Sequence, residues 1–216
     1  MQREPKKVRC TFVCLSYRGY WTSRGRPNEK GLRLDAAAAL KRVSEMHRKF
    51  CGPGARSGIN PGNVILWGQS IGSGVATNLA AEHLMPENLR LDSLVLETPF
   101  TSIRAMLEVL YPQKWLPYKY LWPFLRNNFD SWANLGIISE KYGKSKLQTK
   151  VLLLEAAKDE LVPAKLSQEL HERCLQVHLP VERVAVSGAF HNDTMFRAEG
   201  RRSVANFVAR QITTSR

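Results

Sequence analysis

Gly68-Gln69-Ser70-Ile71-Gly72 sets a serine between two glycines, and its flanks make that spacing chemically interesting. The apolar run Val64–Trp67 precedes it, and an alanine-rich helical pattern from Ile71 to His83 follows. A strand that turns sharply into a helix at a serine lifts the hydroxyl clear of the sheet and aims the helix N-terminus at it, favouring negative charge there. Gly68 and Gly72 are then expected to be required, because side chains two residues to either side would collide with the helix and the neighbouring strand. A serine hydroxyl is a weak nucleophile by itself and needs a base, which in turn needs an orienting carboxylate. Around such an elbow these follow in the order serine, acid, histidine.

Asp159 lies four residues past the apolar run Val151–Glu155, and His191 five residues past Val181–Val186. Both sit where a strand would have just ended, in the required order. Glu160 is the alternative acid, with Asp159 then a helix cap. Of the other histidines, His47, His83 and His171 fall within helical patterns and His178 in a polar connection, so His191 is the candidate base.

The elements that must hold these residues are legible as alternation. Apolar runs at Val8–Ser16, Val64–Trp67, Leu94–Glu97, Val151–Glu155 and Val181–Val186 read as strands buried on both faces, the habit of a parallel sheet covered by helices. Helical patterns at Leu32–Phe50, Ile71–His83, Ala164–Leu175 and Arg201–Ile212 lie between and after them. The fold class is therefore α/β, a mostly parallel sheet flanked by helices. One stretch departs from the rhythm. Residues 111 to 132 carry 8 of the 19 aromatics, interleaved with Pro112, Pro117 and Pro123, which forbid one long helix. The segment of about 101–150 reads as an insertion of short helices and turns. It is either an ordinary packed excursion or a cap whose aromatics line an apolar pocket or dip into a membrane interface.

The 216 residues suit a single domain. The net charge of +13 is lopsided: residues 1–60 hold 14 basic and 4 acidic side chains. Three readings stay open for this basic front, namely a solvated surface, anionic lipid headgroups and nucleic acid. The absence of a basic run of five or of any zinc-finger or RNA-binding signature argues against nucleic acid, which is not expected as a partner. Four cysteines, Cys10, Cys14, Cys51 and Cys174, are too few for a disulfide scaffold. Cys10 and Cys14 would share one strand face about 13 Å apart, too far to bridge, so free buried thiols are expected. No metal cluster, cofactor motif, targeting segment or membrane span is readable, so the chain as written reads as soluble.

At Ser16-Tyr17-Arg18-Gly19-Tyr20, Pro27-Asn28-Glu29-Lys30-Gly31, Gly68-Gln69-Ser70-Ile71-Gly72, Leu96-Glu97-Thr98-Pro99-Phe100-Thr101-Ser102, Lys158-Asp159-Glu160-Leu161-Val162-Pro163 and His191-Asn192-Asp193-Thr194, the sequence resembles the α/β-hydrolase superfamily. More narrowly it is similar to the bud-emergence type, relatives of membrane-anchored α/β-hydrolase-domain proteins. The resemblance implies a serine hydrolase of esters or thioesters, with Ser70 as nucleophile, His191 as base and Asp159 as its partner. Some relatives remove long acyl chains from proteins, so an acylated protein or a small ester is the implied substrate, and an intracellular, endomembrane-associated location the implied setting. Members of the family carry an anchor, three strands and a His-Gly loop that supplies one oxyanion donor. This chain starts at what would be the fourth strand, Val8–Ser16, and leaves the backbone N–H of Ile71 as the one donor assignable from sequence. The resemblance thus implies an N-terminally truncated hydrolase. Two outcomes follow: a working enzyme, or a catalytically impaired, peptidase-like remnant that acts by binding or at a membrane. Without the third strand, either Val8–Ser16 pairs directly with Val64–Trp67 or a raw sheet edge remains.

Overall fold

A computed structural model of the chain describes residues 10–51, 61–111, 126–143 and 148–214. Four strands run in chain order across one parallel sheet: β1 (Gly62–Gln69), β2 (Leu89–Glu97), β3 (Lys150–Ala156) and β4 (Val181–Val186). The apolar runs after residue 60 mark these strands, with β2 extended five residues toward its N-terminus. Parallel neighbours need crossovers, and helices supply them. The helices are α1 (Glu29–Cys51), α2 (Ile71–Glu82), α3 (Ile103–Leu110), α4 (Ser131–Tyr142), α5 (Ala164–Gln176) and α6 (Ala198–Thr214).

The pleat sorts the core. Leu94 and Leu96 of β2 and Val151 and Leu153 of β3 face α2, α4 and α5, where they meet Ala76, Ala80, Leu135, Ile138 and Leu170. The intervening Val95, Leu152 and Leu154 face the opposite side and pack on Val204 and Phe207 of α6. Leu91 shares the face of Leu94, against strict alternation, because the β1–β2 register shifts between Val64 and Ile65, pairing Val64 with Leu91 and Ile65 with Ser93 and making Asp92 the extra residue. A third cluster joins Leu32, Ala36 and Leu40, one stripe of α1, to Val75 and Leu79 of α2.

Within the stretch of about 101–150, the two described helices begin on side-chain caps. Ser102 Oγ accepts from Ala105 N (3.1 Å) at α3, and Asp130 Oδ1 from Ala133 N (2.9 Å) at α4. Leu135 and Ile138 of α4 are fully buried in the main core. Trp115, Tyr118, Tyr120, Trp122 and Phe124, the centre of the expected aromatic cap, lie outside the described residues.

The run expected as the first strand does not form one. Cys10–Ser16 has no strand partner among the described residues, and Phe12 is 80% exposed. Apolar composition favours a strand only where another strand can take its N–H and C=O groups. Here the following turn is tied to α1 instead: Arg18 forms a two-pronged ion pair with Asp35, closest at 2.6 Å, and its backbone N–H also donates to that carboxylate at 2.9 Å. Val64–Trp67 is consequently an edge among the described residues, the second of the two outcomes. The thiols of Cys10 and Cys14 are exposed rather than buried, since no strand carries them inward; Cys174 is buried as expected. No described helix is long and apolar enough to cross a membrane.

Candidate active site

The C-terminal ends of the parallel strands converge on the predicted chemical residues, as expected for an open α/β sheet. At the end of β1, Ser70 takes φ 51°, ψ −117° and serves as N-cap of α2. A non-glycine residue with positive φ is strained, so this turn must be held from outside. It is held by Ser70 N donating to Glu97 O (2.8 Å) and by Ser73, whose N and Oγ both donate to Ser70 O (2.9 and 2.6 Å). Ser70 itself is half-buried, and Ile71 opens α2 with an N–H that has no acceptor within the helix.

Gly68 and Gly72 do not share one explanation. A Cβ on Gly68 would lie 2.0 Å from Gly72 O, whereas a Cβ on Gly72 meets nothing within 4 Å. The expected crowding holds at Gly68 alone, because the close approach runs from the strand end to the helix's first turn and not the reverse.

Asp159 sits in the turn after β3, fixed by Asp159 N to Ala156 O (3.1 Å) and Lys158 N to Ala189 O (2.8 Å). Its Oδ1 accepts from the N–H groups of Leu161 (2.9 Å) and Val162 (2.8 Å), which pin the carboxylate ahead of α5. Both carboxylate oxygens lie 3.0 Å from His191 Nδ1. Side-chain exposure is 4% for His191 and 7% for Asp159, so the contact is nearly dry. With the Nδ1 proton directed at the carboxylate, the lone pair belongs to Nε2. Of the two acids left open by the sequence, Asp159 faces the ring. Glu160 instead accepts from the backbone N of His191 (3.1 Å).

Gln69, expected only as part of the elbow, reaches across the site: its Nε2 donates to His191 O (3.2 Å) and so ties the residue before the serine to the histidine. Sequence reasoning missed Glu97 and Thr194. Both were quoted in motifs without a role, and the available signal was an acid closing the apolar run Leu94–Leu96. The remaining histidines lie elsewhere: His47 in α1, His83 at the C-cap of α2, His171 in α5, and His178 after α5. Among the described residues, no group of His, Cys, Asp and Glu is placed to hold a metal ion. An open groove of about 600 Å³ lies away from the site, between α1 and the 15–28 segment, lined by Arg18, Arg24, Arg26 and Asp35.

The family model described as alpha/beta hydrolase fold matches residues 2–135. Human alpha/beta hydrolase domain-containing protein 17B is 29% identical over 206 residues, 95% of this chain and 59% of that protein. Human protein ABHD12B is 34% identical over 173 residues, 80% of this chain and 44% of that protein. The chain thus spans about half the length of these curated relatives. Among solved structures, an esterase of Pyrococcus furiosus superposes with a TM-score of 0.56 at 21% identity, covering 90% of this chain and 66% of that one. The matched length, the parallel sheet and the strand-to-helix turn at Ser70 agree: the chain belongs to the alpha/beta hydrolase fold family.

Proposed function

We propose that this chain is a serine hydrolase of esters or thioesters. The observation that carries the reading is the buried His191–Asp159 pair at 3.0 Å, tied through Gln69 to a serine held at positive φ on a helix N-terminus. Ser70 Oγ attacks the substrate carbonyl while His191 Nε2 takes its proton, and Asp159 stabilises the imidazolium. The carbonyl oxygen becomes an oxyanion, to which the N–H of Ile71 donates. Collapse of the tetrahedral intermediate expels the alcohol or thiol, which takes the proton from Nε2 and leaves an acyl-serine. Water, deprotonated by the same nitrogen, releases the acid and restores Ser70. Each oxyanion donor is worth roughly 10²–10³ in rate, so the Ile71 N–H contributes materially.

The substrate we infer carries an apolar acyl group, on a small molecule or on a protein. Leu161 and Phe190, two residues along the chain from Asp159 and one from His191, are 47% and 48% exposed, offering apolar surface on the two loops that carry the dyad. A fluorophosphonate probe should label the purified chain at Ser70, and Ser70→Ala and His191→Ala should abolish the labelling. Equal labelling of Ser70→Ala would refute the assignment.

A second reading concerns the basic front. Trp21 is 94% exposed at φ 50° in a segment carrying Arg18, Arg24 and Arg26. We propose that it meets anionic lipid, the indole at the headgroup level and the exposed Arg24 and Arg26 at the phosphates. Co-sedimentation with phosphatidylserine vesicles should fall on Trp21→Ala and at high salt, and binding insensitive to both would overturn it.

A further inference from the structure

Glu97 closes β2 with its carboxylate buried, at 5% exposure for the residue. Three bonds leave it, each for a different part of the site. Its backbone oxygen accepts from Ser70 N (2.8 Å), its Oε2 from Trp67 Nε1 at the end of β1 (3.2 Å), and its Oε1 from Thr194 Oγ1. Thr194 is fully buried and opens the 3-10 turn Thr194–Phe196, three residues beyond His191. The side chains that hold the His191 backbone, Gln69 and Glu160, are both exposed, whereas the bond from Thr194 to Glu97 is buried, which strengthens it.

We propose that Glu97 is a positioning residue, holding the His191 loop at a fixed distance from the nucleophile elbow through Thr194. The inference rests on the serine hydrolase reading above. The chemistry selects a carboxylate. Both side-chain partners donate to it, and a carboxyl group turns an oxygen to each, whereas glutamine has one oxygen and its NH₂ meets either the donor-only indole or a Thr194 hydroxyl that must turn from donating to accepting. Loss of the bond leaves the turn after His191 free to shift. A displacement of about 1 Å between base and nucleophile lowers rate by roughly 10²-fold.

The test uses Thr194→Val, which keeps shape and removes the hydroxyl, Thr194→Ser, which restores it, and Glu97→Gln. Two readouts are taken on the full chain: fluorophosphonate labelling rate at Ser70 with kcat and KM on a p-nitrophenyl ester, and amide hydrogen exchange across residues 187–197. Thr194→Val and Glu97→Gln are expected to slow labelling and lower kcat by about 10- to 100-fold with KM little changed. Exchange in that segment should quicken while the protection of β3 is kept, and Thr194→Ser should recover most of the rate. Faster exchange with wild-type labelling means a structural tie only and overturns the proposal, as does unchanged exchange. Failure of the wild-type chain to label at Ser70 refutes the hydrolase reading itself, a result distinct from wild-type labelling that the variants leave unaltered.

Discussion

Gly68→Ala and Gly72→Ala, set side by side, probe whether the elbow depends on space at one glycine or at two. A Cβ on Gly68 would lie 2.0 Å from the Gly72 carbonyl oxygen, 2.2 Å from its carbon and 2.6 Å from Ser73 N. All three are backbone atoms of the first turn of α2, so no side chain can swing aside. Restoring ordinary contact at 3.4 Å moves that turn by about 1.4 Å relative to β1. Ser70 sits between the two, so the displacement falls on the proposed nucleophile. A misplacement of that size costs roughly 10²-fold in rate, and overpacking costs about 1–3 kcal/mol. For a chain of this length that lowers Tm by roughly 2–12 °C. A Cβ on Gly72 has open space and an ordinary negative φ, and alanine in a helix loses about 0.5–1 kcal/mol less backbone entropy than glycine. Labelling rates with a fluorophosphonate probe and thermal melts decide the matter. Gly68→Ala is expected to slow labelling by about 10²-fold or more, and Gly72→Ala to stay within about threefold with Tm unchanged or raised. Equal damage from both substitutions, or wild-type labelling by Gly68→Ala, would refute the packing argument.

Three further outcomes are expected. Asp159→Asn removes the charge opposite His191 Nδ1 and should lower kcat on a p-nitrophenyl ester by about 10⁴-fold with KM nearly constant, and a loss under tenfold would show that another group orients the ring. Burial pushes the Cys174 thiol up to about 12, so iodoacetamide at pH 8 should modify Cys10 and Cys14 and spare Cys174 until the chain is denatured; mass spectrometry of the native digest showing modified Cys174 would contradict this. Hydrogen bonding from Arg18 holds the Asp35 carboxyl below its ordinary 3.8, so the pair's contribution is complete above pH 3.8 and fades as pH falls through the lowered value. The Tm advantage of wild type over Asp35→Asn should accordingly shrink below that pH, and an advantage that grows there would reverse the sign of the linkage.

The distances make clear why some of this was readable in one dimension. A strand-to-helix turn is local, so Gly68 to Gly72 announces itself between an apolar strand and an alanine-rich helix. Asp159 and His191 meet because a parallel sheet delivers successive strand ends to one edge, which converts chain order into spatial convergence. The choice between Asp159 and Glu160 was not local. The turn after β3 points one acid at the imidazole and the other at a backbone N–H, and only the fold sets which.

The sequence by itself determined the α/β alternation, the strand-to-helix turn at Ser70 and the placing of Asp159 and His191 just after later strands, since these rest on periodicity and on turns a few residues long. The tertiary structure decided what depends on neighbours distant in the chain. Cys10–Ser16 has the composition of a strand and none of its pairing among the described residues. Gly72 has the look of a packing glycine and open space around it. Glu97 reads as one acid at a strand end, yet it meets the serine's backbone, an indole and the histidine loop at once. Hydrogen-bond partners and steric room are properties of what the fold brings near, and a residue's own type and spacing carry no record of them.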